Sequence, residues 1–184
     1  MKTKTLVQSV LIICFTAVSH FASAGMIFMA DLSGDQEVPA VSTSASGMAM
    51  AELTGTVGAY ILTYQIDYMD LNAPIIDAAG GGHFHNAPPG VNGGVVHLFD
   101  TDLFEFLGTT SGTIMGDWRF DDTNNPLTDL LADELMAGNI YINFHTQFSP
   151  SGEIRGQMTR VSEPSVLMLM GLVLLLISRG RFIR

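Results

Sequence analysis

Apolar residues between positions 26 and 160 occur in short runs that glycine, serine, proline and aspartate separate. The run "NIYINFHT" at 139–146 alternates, with Ile140, Ile142 and Phe144 on one face and Tyr141, Asn143 and His145 on the other. Such alternation is typical of a half-buried β-strand. Similar runs predict strands within 26–32, 47–53, 59–68, 94–99, 111–120 and 152–160. Many short strands joined by turns favour an antiparallel sandwich or barrel.

One segment of the chain has helical instead of strand-like spacing. "NPLTDLLADELMAG" at 125–138 offers Asn125 as an N-cap, Pro126 in the first turn and Gly138 as a stop. One side of the predicted helix carries four leucines: Leu127, Leu130, Leu131 and Leu135. We therefore predict one short helix in a mainly β domain at 25–160. Trp118 is expected in the core of this domain.

The N-terminal segment is typical of a secretory signal peptide. Lys2 and Lys4 precede an apolar run at 6–18, and a small-residue site ends at Ala24. We expect signal peptidase to remove residues 1–24 and the domain to be exported. The single cysteine of the chain, Cys14, would leave with this segment, which excludes disulfides and thiolate ligands from the mature chain.

The C-terminal segment at 161–184 predicts a second hydrophobic helix. An uncharged apolar stretch at 166–177 is followed by three arginines that would stay cytoplasmic: Arg179, Arg181 and Arg184. The stretch is short for a bilayer, which needs about 20 residues. The alternative, a helix packed against the domain, would leave those arginines beyond a core element. We expect transient membrane anchoring with the domain outside.

This C-terminal segment resembles the PEP-CTERM sorting signal of Gram-negative bacteria. The motif is Ser162-Glu163-Pro164, with serine in place of the usual first proline. The resemblance implies processing by an exosortase. It also implies delivery to the cell surface or to an exopolysaccharide matrix.

The charge of the predicted domain excludes one class of partner. Residues 25–160 contain 17 acidic side chains and three arginines, a net charge of 3 − 17 = −14. Such a surface repels phosphate backbones, so no nucleic-acid partner is expected. An acidic surface suits solubility outside the cell and attracts cations.

Four histidines remain after signal removal, and they are the candidate metal ligands. His83 and His85 in "GGHFHNAPPG" lie two residues apart, so on an extended chain both project to one face. His97 lies in "GVVHLF", and His145 lies opposite the Ile/Ile/Phe face of its strand. Imidazoles without thiolates suit copper or zinc. The alternative is that these side chains only hydrogen-bond the surrounding loops.

Three segments in order resemble the CHRD (chordin-type) domain. They are "GDQEVP" at 34–39, "GGHFHNAPPGVNGGVVHLF" at 81–99 and "LMAGNIYINFHTQFSPSGEIRGQM" at 135–158. The resemblance covers nearly all of residues 27–160, with Ala87 where members more often have glycine. It implies an extracellular domain with an immunoglobulin-like or superoxide-dismutase-like β-sandwich.

The order of His83, His85, His97 and His145 also resembles that of the copper ligands in copper-zinc superoxide dismutases. The chain lacks the cysteine pair and has no room for a zinc loop between His85 and His97. A copper-only enzyme would need the four histidines and Arg155 to attract superoxide.

We therefore expect an exported binding module with a histidine site for copper, and for zinc with less preference. Two alternatives stay open: a copper-only dismutase and a structural or adhesive domain. Thioether sulfur is a soft metal ligand, and three methionines could supply it: Met48, Met50 and Met69. Packing in the core or at a sheet edge is the expected role for them.

Overall fold

A computed structural model describes residues 25–77, 81–99 and 106–162 of the chain. The predicted signal peptide with its cleavage residue Ala24 lies outside these residues, and so do Glu163, Pro164 and the C-terminal apolar stretch. Ser162 is described and is exposed. Within the described ranges, no helix is long and apolar enough to cross a membrane.

The described residues form nine strands and one α-helix. In chain order these are β1 (Met26–Ser33), β2 (Ser46–Thr54), β3 (Ile61–Met69), β4 (Gly82–Asn86), β5 (Gly94–Leu98), β6 (Gly112–Arg119), α1 (Asp129–Met136), β7 (Ile140–Phe144), β8 (Ile154–Gln157) and β9 (Thr159–Arg160). A 3-10 turn, Gly34–Gln36, follows β1.

All the strands belong to one antiparallel sheet. Its order is β5-β4-β7-β8-β1-β2-β3-β6, and β9 adds to β1. The sheet curls into a nearly closed barrel, so the two expected layers are halves of one continuous sheet. The prediction of a mainly β, antiparallel fold with one short helix is confirmed.

Aromatic packing joins the two ends of the sheet. Phe84 on β4 stacks on Trp118 of β6 with ring centroids 5.5 Å apart, and its edge meets Tyr64 of β3 at 5.1 Å. Trp118 is fully buried, as predicted, and donates its indole N–H to the Asn125 carbonyl. The strands at opposite ends of the hydrogen-bonding order therefore share one apolar core.

The helix is shorter than the sequence pattern indicates. Thr128, and not Asn125, is the N-cap, because its side chain accepts a hydrogen bond from the Leu131 N–H. Asn125 instead has a positive φ of 54° in the preceding turn. Leu130 was expected on the buried side of the helix but points to solvent. Ala132 is buried instead and lies in the core with Leu135. The buried side of α1 is formed by Ala132 and Leu135 and does not include Leu130.

Strands β4, β7 and β8 are buried on both faces. Their inner side chains are apolar and include Phe84, Ile142 and Ile154. Their outer side chains are polar or aromatic and are also buried: His83, His85, Tyr141, Asn143 and Arg155. Loops 34–43, 87–93 and 146–153 contact this outer face through hydrogen bonds. The result is a second, polar core beneath the loops.

Candidate metal centre

Two adjacent strands bring three of the four predicted histidines together. His83 and His85 lie on β4 on either side of the inward-facing Phe84, so both rings project to the outer face. His145 directly follows β7, the antiparallel neighbour of β4. One ring nitrogen from each histidine lies within 4.8 Å of the others. All three side chains are buried.

The distance between two of these rings suits a shared ion. His83 Nε2 and His145 Nε2 are 3.3 Å apart, and the two rings stack with centroids 4.7 Å apart. Two nitrogens that each lie about 2.0–2.1 Å from one tetrahedral ion are about 3.3 Å apart. The observed spacing matches one edge of a tetrahedral metal site, and the same distance lets one Nε2–H donate a hydrogen bond to the other Nε2.

Backbone carbonyls orient two of the imidazoles. His145 Nδ1 lies 2.9 Å from the Pro150 carbonyl, and His85 Nδ1 lies 2.9 Å from the Gly93 carbonyl. A carbonyl can only accept, so each Nδ1 carries a proton. Nε2 is then the ligand atom of His145, and His85 Nε2 can bind a metal where it gives up its contact with Asn143 Oδ1. Metal-bound histidines commonly donate their second nitrogen in this way.

Burial also favours the neutral form of these rings. Desolvation lowers the pKa of His145, although the hydrogen bond to Pro150 opposes the shift. Desolvation likewise lowers the pKa of His85, against its bonds to Gly93 and Asn143. Metal ions bind only the deprotonated nitrogen, so both shifts keep the ligands available at neutral pH.

A polar network supports the far side of the site. Asn143 lies opposite His83 in the β4–β7 register, and its Oδ1 is 3.0 Å from His85 Nε2. Glu37 from the loop after β1 lies beside Asn143 and Arg155, and burial raises its pKa to about 7 although Arg155 lowers it. Asn143, which contacts His85, is thus itself held in place by the buried side chain of Glu37.

Tyr141 and Arg155 complete the wall of the polar core. The Tyr141 ring stacks on His85 with centroids 4.6 Å apart, and the Arg155 guanidinium carbon lies 3.4 Å from the centre of the same tyrosine ring. Arg155 also donates to the Val91 carbonyl and to Asn92. Arg155 is almost fully buried by these contacts. It therefore supports the loop and does not present a cation to an incoming anion, the role expected of it in a dismutase.

The structure does not bring His97 to this cluster. His97 on β5 is opposite Phe84 in the register, so it faces the apolar core. Its ring stacks on Trp118 at 5.0 Å. His83, His85 and His145 lie on the other face of the sheet, because side chains alternate along β4. Three of the four predicted histidines therefore remain as candidate metal ligands.

The sequence reasoning missed two buried side chains that shape the site. Asn143 was placed on the same face as His145 by the alternation of β7, which was a signal for its position but not for its contact with His85. Glu37 lies in "GDQEVP", a segment noticed only for its resemblance to a family pattern. Its position next to Arg155 depends on a contact between residues more than 100 positions apart, which no local pattern contains.

Comparison with known proteins supports the resemblance seen in the sequence. The model of the CHRD domain family matches residues 28–158, which is more than half of the chain. No curated protein and no solved structure matches the chain significantly. The resemblances to the sorting signal and to the dismutase ligands stay predictions.

Proposed function

We propose that this chain, which belongs to the CHRD domain family, is an exported metal-binding module that holds a copper ion through His83, His85 and His145. The 3.3 Å spacing of His83 Nε2 and His145 Nε2 carries the proposal. The fixed Nδ1 protons and lowered pKa values of His85 and His145 support it.

Copper is favoured over zinc by the ligand set. Nitrogen sites bind Cu²⁺ more tightly than Zn²⁺ in the general affinity order of divalent ions. Three protein ligands leave a further position for water or a small ligand. One equivalent of Cu²⁺ is therefore expected to displace Zn²⁺ from the zinc-loaded protein, and a chelating dye in solution would report the released zinc.

Titration calorimetry of the full chain in a mild detergent tests the site itself. The wild-type protein is expected to bind one Cu²⁺ with high affinity, and His83→Gln and His145→Gln are each expected to weaken binding by about tenfold or more. His97→Gln is the matched control, since it removes a buried histidine outside the cluster. Equal affinity in all four proteins would exclude this site.

The place of action is proposed from the two ends of the chain. The N-terminal segment would direct export, and the C-terminal segment would hold the domain at the membrane until an exosortase releases it to the surface or matrix. Cell fractionation with antibody detection tests this. Loss of residues 162–184 is expected to move the domain from the cell envelope to the medium, and unchanged distribution would argue against the anchor.

A further inference from the structure

A second group of potential metal ligands lies on the outer face of β1, β2, β3 and β6, away from the histidines. Met48, Met50, Met69 and Met115 are 46–62 % exposed there, so the packing role expected of Met48, Met50 and Met69 is corrected. Met29 on β1 is half-buried on the same face. Large apolar side chains scattered singly on a surface are common, but here they are neighbours.

The strand register places three of these methionines together. Met29 is directly opposite Met50 across the β1–β2 pair, and Met48 is two residues from Met50 on the same face of β2. Directly opposed residues have Cβ atoms about 5 Å apart, and diagonal neighbours are about 7–8 Å apart. A methionine side chain is unbranched and flexible, so three thioether sulfurs can converge from these positions.

Carboxylates flank the methionines on both sides. Asp31 and Asp67 are the register partners of Met48, one on each neighbouring strand. On the other side, Glu52 is two residues from Met50 on the same face, and Asp117 lies in line with it across β3. These acids give the face a negative potential, which attracts cations.

One of the three methionines also borders a groove of about 510 Å³ on this face. Met50 lines this groove together with Glu52, Asp117 and Met115. The methionine sulfur of Met50 can therefore be reached from solvent in an acidic setting.

From this placement we propose that Met29, Met48 and Met50 form a binding site for Cu⁺. Thioethers are soft, uncharged ligands that select Cu⁺ over hard ions such as Mg²⁺ and Ca²⁺. The acids raise the local cation concentration, and the sulfurs supply the selectivity. The site does not depend on the histidine centre, since the two lie on different parts of the sheet and use different ligand atoms.

Competition with a coloured Cu⁺ chelator tests the site, in the full chain in mild detergent under anaerobic, reducing conditions. The double variant Met48→Leu/Met50→Leu is expected to bind Cu⁺ about tenfold or more weakly than wild type. The control, Met115→Leu, removes an exposed methionine that lies two strands away from Met50 and is expected to keep wild-type affinity. Leucine keeps the volume and the exposed positions, so both variants are expected to fold.

X-ray absorption at the copper edge distinguishes this site from the histidines. Wild type and the control variant should show sulfur neighbours around Cu⁺, and Met48→Leu/Met50→Leu should lose them. Copper with only nitrogen or oxygen neighbours in wild type would overturn the proposal, as would equal loss of affinity in Met48→Leu/Met50→Leu and in Met115→Leu. Neither result would bear on Cu²⁺ binding by the histidines.

Discussion

His85 has hydrogen-bond partners that constrain where protons lie in the polar core. Its Nδ1 faces the Gly93 carbonyl, and its Nε2 faces the Asn143 side-chain amide. If Asn143 Oδ1 accepts from Nε2, His85 is a cation and Glu37 is the neighbouring anion. If the amide is reversed, His85 is neutral and a protonated Glu37 donates to Asn143. Both arrangements hold the same number of protons. A metal requires the neutral ring and would take the place of the Asn143 amide at His85 Nε2.

The lowered pKa values of His85 and His145 set the acid limit of metal binding. An ordinary histidine is half protonated at about pH 6.5, and its protonation competes with metal binding from about one pH unit above that value. Because burial lowers both pKa values, we expect Cu²⁺ affinity to stay constant from pH 7.5 to about 6.5 and to fall only at lower pH. Calorimetric titrations across this range measure it. A Cu²⁺ affinity that already falls steeply between pH 7.5 and 6.5 would contradict the lowered pKa values of His85 and His145.

Glu37 is expected to make the metal-free protein less stable at alkaline pH. Burial raises its pKa from 4.5 to about 7, so the folded state binds more protons than the unfolded state between these values. The contribution of Glu37 to the free energy of unfolding is fully present below pH 4.5 and is lost as the pH rises through 7. The full difference corresponds to at most about 3 kcal/mol.

The variant Glu37→Gln should lack this loss, since glutamine does not ionise. Thermal unfolding at pH 5 and pH 8 is the measurement, in the presence of a chelator. The variant is expected to gain stability relative to wild type between pH 5 and pH 8. A constant difference in Tm at the two pH values would show that Glu37 ionises normally.

At the scale of elements, the segment Gly152–Gln157 joins the loops to the sheet. Glu153 is fully buried and accepts hydrogen bonds from Thr43, Asn72 and Thr146. Gln157 donates to backbone carbonyls on the neighbouring loops and accepts from Arg155. Every polar side chain of this short segment therefore fixes a different part of the chain.

Gly152 is a position in this segment that tolerates a side chain poorly. Its φ of 131° disfavours any other residue, and an added Cβ would contact Glu37 Oε1. Gly152→Ala should destabilise the protein by about 2 kcal/mol or more. Gly90→Ala is the control, because Gly90 also has a positive φ but has open space around it, and it should cost roughly 1 kcal/mol. Urea unfolding followed by Trp118 fluorescence measures the free energy of unfolding of both variants. Equal losses in Gly152→Ala and Gly90→Ala would show that the contact with Glu37 does not add to the cost.

The presence of the strands and the helix was easier to predict from the sequence than the residues at which they begin and end. Alternation identified β7 and the inner positions of its strand, because one face is apolar and the other polar. It did not show that the polar face is also buried, since burial there depends on loops that fold over it. The helix start was misplaced for a similar reason: both Asn125 and Thr128 can cap a helix, and tertiary contacts select Thr128.

For the whole molecule, sheet order decides which candidate ligands meet. The sequence predicted four histidines in or beside strands, and β4 pairs with both β5 and β7. His145 reaches the outer face of β4, whereas the register shift between Phe84 and His85 leaves His97 paired with Phe84 on the inner face. A one-residue change in pairing exchanges the two faces of a strand, and local periodicity does not fix that register.

The charge of the whole domain leads to a further prediction. Residues 25–160 carry a net charge of 3 − 17 = −14, so the folded surface repels itself. Screening by salt should relieve this repulsion, and about 0.5 M NaCl should raise Tm by a few degrees. Thermal unfolding monitored by circular dichroism at several salt concentrations measures the effect. A Tm that falls with NaCl would mean that attractive surface pairs outweigh the repulsion.

Anomalous diffraction at the copper edge from crystals of the Cu²⁺-loaded protein tests the central claim most directly. The account predicts one strong peak on the outer face of β4 and β7, about 2.0–2.1 Å from Nε2 of His83, His85 and His145. It also predicts that His97 remains stacked on Trp118 with no metal contact. A peak bound by His97, or no ordered copper among the three clustered histidines, would contradict it.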